Sequence, residues 1–323
     1  MEWNEQRRAE NARPCQRGVE LKMSLLVTGT IGIDTVETPH GRAESVLGGS
    51  ACYFAFAASL LTPVRLVGVV GEDFPQEFRE MFRGRPIDLE GLEIRKGAKT
   101  FRWQGRYVGD MNSAETLRTD LNVVAEAPPT IPKHFRDAGY VFLANTHPAV
   151  QRSFIEQLLS PKLIVCDTMN LWINETRQDL LKTLALVDGI ILNDGEARLL
   201  SGESDLIRAG REVLKFGPTF AVIKKGEHGA MLVSPDEVYV LPAYPTTRVV
   251  DPTGAGDSFA AGMMGHLAAI DRFDAAALKG AMSRGACVAS ITIEAFSLSA
   301  LTAATPQTLA ERLAQYKAML SFD

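Results

Sequence analysis

Residues 251–262 read Asp-Pro-Thr-Gly-Ala-Gly-Asp-Ser-Phe-Ala-Ala-Gly and run into a helical stretch from Met263 to Ile270. Gly254, Ala255 and Gly256 are small enough for successive backbone N–H groups to converge at a helix N-terminus, where unpaired donors and the helix dipole favour an anion. Asp257 starts the same helix beside that anion hole, where a carboxylate can take a proton from an attacking hydroxyl. The simpler reading makes Asp257 the N-cap of a Gly-rich helix start. A lone Gly-x-Gly would favour the cap; the whole string favours phosphate chemistry.

The string fits the pattern D-x-x-G-A-G-D-x-F at Asp251, Gly254, Ala255, Gly256, Asp257 and Phe259. In this it closely resembles the ribokinase family of carbohydrate and nucleoside kinases, also called the PfkB family. The resemblance implies that Asp257 is the catalytic base and that the N–H groups of Gly254 to Asp257 stabilise the transferred phosphoryl charge. It extends over roughly residues 25–320, because further elements follow in the family's order.

Asp34, in Gly29-x-x-x-x-Asp34, resembles the aspartate that binds substrate hydroxyls, a task suited to a carboxylate that can accept two donors. Gly48-Gly49 resembles the di-glycine that lets substrate approach the backbone. Asn193-Asp-Gly-Glu196 resembles the N-x-x-E element that organises Mg²⁺, its waters and the nucleotide phosphates, and an amide with a carboxylate suits a hard cation that keeps several waters. Read alone, it is a helix start capped by Asn193 or Asp194. Lys224-Lys-Gly-Glu-His-Gly229 resembles the turn over the ATP phosphates, with Gly226 and Gly229 allowing close approach. Lys224 then pairs with a β- or γ-phosphate, or else is a solvated lysine at a strand end; His228 is read as a turn residue. Asp167-Thr-Met-Asn170 resembles the D-x-N element of sugar kinases on the nucleotide side. Asn145 is either a substrate contact or a loop cap. Residues 283–294 resemble the helix flanking the adenine pocket, and the family's monovalent-cation site leaves K⁺ open beside Asp251.

Two positions depart from the pattern. Tyr53 stands where ribokinase-like members carry a substrate-binding asparagine, and Gly32 stands where ribokinases proper have another. Ribose therefore loses its standing as the default acceptor. Tyr53 either stacks against a nucleoside base or a modified sugar, or packs in the core.

These residues need a scaffold that gathers them. Apolar strands are expected at residues 25–28, 64–70, 140–144, 163–166, 189–192 and 221–224, with helices at 50–61, 153–159 and 196–200 between them. Such alternation predicts a mostly parallel sheet covered on both faces, with ligands beyond the carboxyl ends of its strands. Phe101, Trp103 and Tyr107, punctuated by Gly105 and Gly109, predict a small antiparallel insertion. The expected fold is α/β, a ribokinase-like three-layer α/β/α domain over residues 23–323, with lid strands near 34–46 and 98–125. The polar segment 1–22 lacks apolar periodicity and is set aside as an extension.

With 46% hydrophobic and 23% charged residues the chain is an ordinary globular one, and its net charge of −5 gives no general attraction to nucleic acid or an anionic membrane. No apolar run reaches the roughly 18 to 20 residues of a membrane span, so a cytoplasmic location is expected. Cys15, Cys52, Cys166 and Cys287 lack zinc-ligand or disulfide spacing and are expected as reduced thiols. Together these readings predict an ATP- and Mg²⁺-dependent kinase acting on a hydroxyl of a small carbohydrate, with the lid strands able to pair two subunits in a homodimer. A nucleoside kinase and a catalytically silent sugar- or nucleoside-binding protein are the alternatives. A dehydrogenase is disfavoured because Gly29-Thr-Ile-Gly32 lacks the full G-x-G-x-x-G spacing.

Overall fold

The apolar run Leu25–Thr28 forms strand β1 near the centre of a nine-stranded sheet. In this computed structural model residues 25–321 are described; the segment 1–22 and Cys15 lie outside the described residues. The chain continues through β2 (Gly32–Thr38), β3 (Gly41–Gly48), α1 (Ser50–Ala58), β4 (Val64–Gly71), α2 (Gln76–Met81) and β5 (Ile87–Arg95). Next come β6 (Phe101–Tyr107), β7 (Ala114–Asp120), β8 (Tyr140–Leu143), α3 (Pro148–Ile155) and β9 (Leu163–Asp167). Then follow α4 (Asn170–Glu175), α5 (Arg177–Leu184), β10 (Gly189–Asn193), α6 (Asp194–Ser201), α7 (Leu206–Leu214) and β11 (Phe220–Lys224). The chain closes with β12 (Ala230–Val233), β13 (Val238–Leu241), α8 (Ala255–Ile270), α9 (Ala275–Thr292), α10 (Ser299–Ala303) and α11 (Pro306–Leu320).

The large sheet runs β13-β12-β11-β10-β9-β8-β1-β4-β5, parallel from β11 to β5 and antiparallel only at β12 and β13. Its inner strands β1, β8, β9, β10 and β11 are almost continuously apolar because both faces are covered, whereas the edge strand β5 alternates. Leu25 and Val27 turn to one face and pack with α1, α8 and α9, while Leu26 turns to the other and packs with α3, α5, α6 and α7. This is the expected three-layer α/β/α arrangement. From β1 the chain adds strands first toward β5 and then, from β8, in the opposite direction, so the order reverses between β1 and β8. Such a reversal opens a crevice at the strand carboxyl ends.

A second sheet, β3-β2-β6-β7, pairs antiparallel on its flanks and parallel between β2 and β6. It draws on residues 32–48 and 101–120, the two stretches from which an insertion was expected. The helix expected at 153–159 instead occupies Pro148–Ile155. Pro148 fits the first helical turn, and the His147 ring accepts the Ala149 N–H, so the helix starts before its apolar periodicity becomes visible. The antiparallel edge strands β12 and β13 were not foreseen. Cys52, Cys166 and Cys287 are free and buried, as expected of small hydrophobes. No described helix is long and apolar enough to cross a membrane.

Candidate active site

Asp167, Asn193 and Lys224 are the last residues of β9, β10 and β11, so strand register alone brings them to one edge of the sheet. Asp257 enters from the first turn of α8, and Asp34 from β2 in the small sheet. Two halves result, one around Asp34 and one around Lys224, and both residues lie within electrostatic reach of the Asp257 carboxyl.

In the first half Asp34 is only 3% exposed. The Gly49 N–H donates to its carboxylate, while Oδ1 is buried without a protein partner. Gly48 stands so close that a Cβ there would fall on the carboxyl group. Tyr53, on α1, is 1% exposed, and its ring lies where a Cβ on Gly254 would have to be. Of its two readings the structure displays core packing, since no ring face opens to the cleft. Its hydroxyl is nonetheless buried without a protein partner.

Burial, reinforced by Asp251, pushes the Asp34 carboxyl up to about 7 against the Gly49 hydrogen bond. The folded protein thus holds a proton that the unfolded chain releases at lower pH. Stability tied to that proton is present in acid and lost as pH rises through about 7. Asp34→Asn, which cannot ionise, is therefore expected to melt at a higher temperature than the wild type near about pH 8, with the gap shrinking toward about pH 4. Thermal melts at both pH values check this. A variant that melts lower at both would mean that the ionised carboxylate stabilises the fold.

In the second half Gly254 caps α8 with a left-handed φ of 75°; Ala255 and Gly256 line the cleft, but the Ala255 N–H of the expected anion hole already donates to Pro252 O at 3.1 Å. The Lys224 ammonium lies against this turn: a Cβ on Gly256 would be 2.6 Å from Nζ. The Asp167 carboxylate is 4.0 Å from Nζ. Burial works against the charge on Lys224, yet Asp167, Glu196 and Asp257 outweigh it and raise its pKa above the ordinary lysine value. Burial, then Asp167, pushes the Asp257 carboxyl well above the usual carboxylate range, while Lys224 pulls it back.

Asn193 and Glu196 form a capping box at the start of α6. Asn193 Oδ1 accepts the Glu196 N–H at 2.8 Å, and Glu196 Oε2 accepts the Asn193 N–H at 2.7 Å. The helix-start reading of this element therefore holds, but it commits one oxygen of each side chain and leaves the Asn193 amide and the second Glu196 oxygen. Burial pushes Glu196 up to about 7.

A cleft of about 1090 Å³ opens beside these groups, enough for a nucleotide. Asn193, Lys224, Gly226, Gly229, Ala255 and Gly256 line its polar end; Ala286, Ala289 and Ile293 of the α9 region line an apolar end, where the adenine-flanking helix was expected. The small sheet supplies Tyr107, and the connection between β6 and β7 supplies Asn112. The Thr253 hydroxyl lies 3.4 Å from the Tyr107 hydroxyl, and the Asn112 side chain sits against Gly226. Asn112 was missed; the Gly109-Asp-Met-Asn112 string signalled only a turn.

Three further candidates are placed differently. Asn145 accepts the Trp172 indole N–H at 2.9 Å and donates to Met169 Sδ at 3.1 Å, so its side chain is tied to the α4 region. Asn170 is exposed at the start of α4, whereas Asp167 is buried, and the two ends of that element part company. Asp251 is buried and takes the N–H groups of Thr253 and Ser297, one on each oxygen. Nothing in the sequence signalled the Ser297 contact.

The fold is that of a phosphotransferase family. The model of the pfkB family carbohydrate kinases matches residues 24–304, and the chain belongs to that family. It is 30% identical over 249 residues to the cytidine kinase of Thermococcus kodakarensis, covering 75% of this chain and 87% of the relative. It is 28% identical over 244 residues to the ATP-dependent ribose-1-phosphate kinase of Halopiger xanaduensis, covering 73% and 79%. Among solved structures, the nucleoside kinase of Burkholderia thailandensis in complex with inosine has a TM-score of 0.73 at 19% identity, over 91% of this chain and 99% of that one, a likeness of fold.

Proposed function

We propose that the chain transfers the γ-phosphoryl group of ATP to a hydroxyl of a small carbohydrate, with Asp257 as the base. The observation that carries this is the Lys224 ammonium against the Gly256 turn at the start of α8, with the Asp257 carboxyl of the same turn within electrostatic reach of both Lys224 and Asp34, a buried carboxyl with a free oxygen. Asp34 holds the acceptor by accepting its hydroxyl protons. Asp257 takes the proton of the attacking hydroxyl, and the backbone N–H groups of α8 with the Lys224 ammonium meet the charge on the transferred group. The adenine lies along Ala286, Ala289 and Ile293.

Five carboxyls, Asp34, Asp167, Glu196, Asp251 and Asp257, share the site with one ammonium, Lys224, on which Asp167, Glu196 and Asp257 bear, and ATP adds more negative charge. Bound cations must offset this. Mg²⁺ fits Asn193 and Glu196, where the uncommitted Glu196 oxygen and the second lone pair of Asn193 Oδ1 can accept from the ion's waters; when bound it supplies neutralisation of the phosphates. K⁺ fits beside Asp251, whose oxygens each accept one N–H and keep lone pairs. Glu196→Gln keeps the cap, because glutamine also serves at that position, but removes the charge. It is expected to raise the Mg²⁺ concentration for half-maximal rate about 10-fold with a melting temperature at or above that of the wild type, since a carboxyl crowded by burial is removed. An unchanged Mg²⁺ requirement would remove Glu196 from the metal's surroundings.

A nucleoside acceptor is the second reading, favoured by the aromatic pair Trp103 and Tyr107 on the strand next to Asp34. The small sheet acts as a lid that excludes water, its edge strands β3 and β7 are available for pairing with a second copy, and the enzyme works in the cytoplasm. A screen for ADP release from ATP and Mg²⁺ against sugars, sugar acids, sugar phosphates and nucleosides tests the reading. Acceptor-dependent release supports it; ligand binding without ADP formation would make the chain a silent binder.

A further inference from the structure

We propose that Gln151, a buried residue of α3 outside the lining of the cleft, is a positioning residue that sets the spacing between the acceptor half and the donor half of the site. This rests on the kinase reading above and adds to it a residue that touches no reacting atom.

The first observation is a fork in the large sheet. Strands β8 and β9 pair from Tyr140 opposite Leu163 to Leu143 opposite Cys166, and there their register ends. Past that point the chain after β8 stays with β1, because the Ala144 N–H donates to Thr28 O at 2.8 Å. The last residue of β9 goes the other way, since Asp167 pairs with Ile191 of β10. Each prong carries one half of the site. Asn145 O, just beyond Ala144, accepts the Ser50 hydroxyl at 3.2 Å, and Ser50 follows Gly49, whose N–H holds Asp34. On the other prong Asp167 sets its carboxylate 4.0 Å from Lys224 Nζ. The phosphoryl group must pass between groups held by two prongs that the strand ladder no longer joins.

The second observation is what fills the fork. Gln151 is 1% exposed, and its Nε2 donates to Leu143 O at 3.0 Å, Ala144 O at 3.2 Å and Asp167 O at 3.0 Å. Two N–H groups are spread over three carbonyls, two on one prong and one on the other. Carbonyls only accept, so the nitrogen must face them, and Oε1 is left buried without a protein partner. Few buried polar atoms are left so, which makes the bridge the reason for the residue. The helix that carries it is anchored from behind: Pro148 O accepts the Thr183 hydroxyl at 2.9 Å, and Arg152 donates to the Asp179 carbonyl at 2.6 Å and to its carboxylate at 2.8 Å. Gln151 passes the fixed position of α3 to both prongs at once.

A spacer of this kind acts on the reaction more than on binding. Each substrate is held by its own half, so its affinity survives a change in the fork. The alignment of acceptor hydroxyl, Asp257 and phosphoryl group does not, and a misplacement of about 1 Å costs on the order of 100-fold.

The test is Gln151→Met, which keeps the length of the side chain and removes both donors. It is assayed with ATP, Mg²⁺ and an acceptor found by ADP release, and the affinity for each substrate is measured by calorimetry. The kcat is expected to fall about 100-fold while both dissociation constants stay within about threefold of the wild type. Gln151→Glu gives a second readout, because its carboxyl can donate to the carbonyls only when protonated. Its kcat relative to the wild type is expected to rise as the pH falls from about 8.5 to about 6.5, whereas the same ratio for Gln151→Met stays flat. The inference is overturned, with the kinase reading left intact, by an unchanged kcat in Gln151→Met, by loss of either affinity in step with kcat, or by a pH-independent ratio for Gln151→Glu. A wild type that releases no ADP with any acceptor overturns both.

Discussion

Replacing Asp257 by asparagine is expected to lower kcat at least about 100-fold, within the range for loss of a general base. Asparagine keeps the size of the side chain and a carbonyl that can still accept a hydrogen bond. What it loses is the ability to carry the proton away. ATP binding is expected to hold or tighten slightly, because the substitution removes a carboxyl that is crowded by Asp167 and Asp34. The same relief predicts a melting temperature at or above that of the wild type. Steady-state kinetics, with nucleotide affinity from calorimetry, separate the two effects. A variant with near-normal turnover would remove Asp257 from the chemistry.

The second large effect is expected at Gly48, a residue that touches no reacting atom. Its Cα faces the Asp34 carboxyl so closely that an alanine Cβ would occupy the carboxylate's position. Gly48 does not have a positive φ, so Gly48→Ala carries no backbone penalty, and its effect isolates the displacement of Asp34. Moving a positioning carboxylate by about 1 Å costs on the order of 100-fold, so kcat/KM for the acceptor should fall by about that factor. The KM for ATP should stay within about twofold, since Gly48 and Asp34 lie outside the lining of the nucleotide cleft. Equal losses for both substrates would instead point to a disturbed fold.

What the sequence revealed and what it withheld divide along contact distance. The Gly254–Asp257 turn and the start of α8 were legible because the glycines, the aspartate and the helix they open are contiguous. The strand ends carrying Asp167, Asn193 and Lys224 were legible for a related reason, since apolar runs ending in polar residues mark the carboxyl edge of a parallel sheet. The collision course of Gly48 with Asp34 was not, because it arises from the pairing of β2 with β3, where Gly32 lies opposite Gly48 and Asp34 opposite Val46. Tyr53 was undecided for the same cause: only the fold brings Gly254 onto its ring. Asn193 and Glu196 show that a helix cap and a candidate cation site need not compete, since each side chain has atoms for both tasks. For Asp167-x-x-Asn170, local spacing could not show that α4 begins at Asn170 and leaves it exposed while Asp167 is buried.

The central claim is the direct passage of a phosphoryl group from ATP to an acceptor hydroxyl at Asp257. It is tested most directly by following a radiolabelled γ-phosphate from ATP in the presence of Mg²⁺ and an acceptor that passes the ADP-release screen. The label should appear on the acceptor in a one-to-one ratio with ADP formed by the wild type, and at least about 100-fold more slowly with Asp257→Asn. Label released only as inorganic phosphate, or transferred at the same rate by both proteins, would contradict the account.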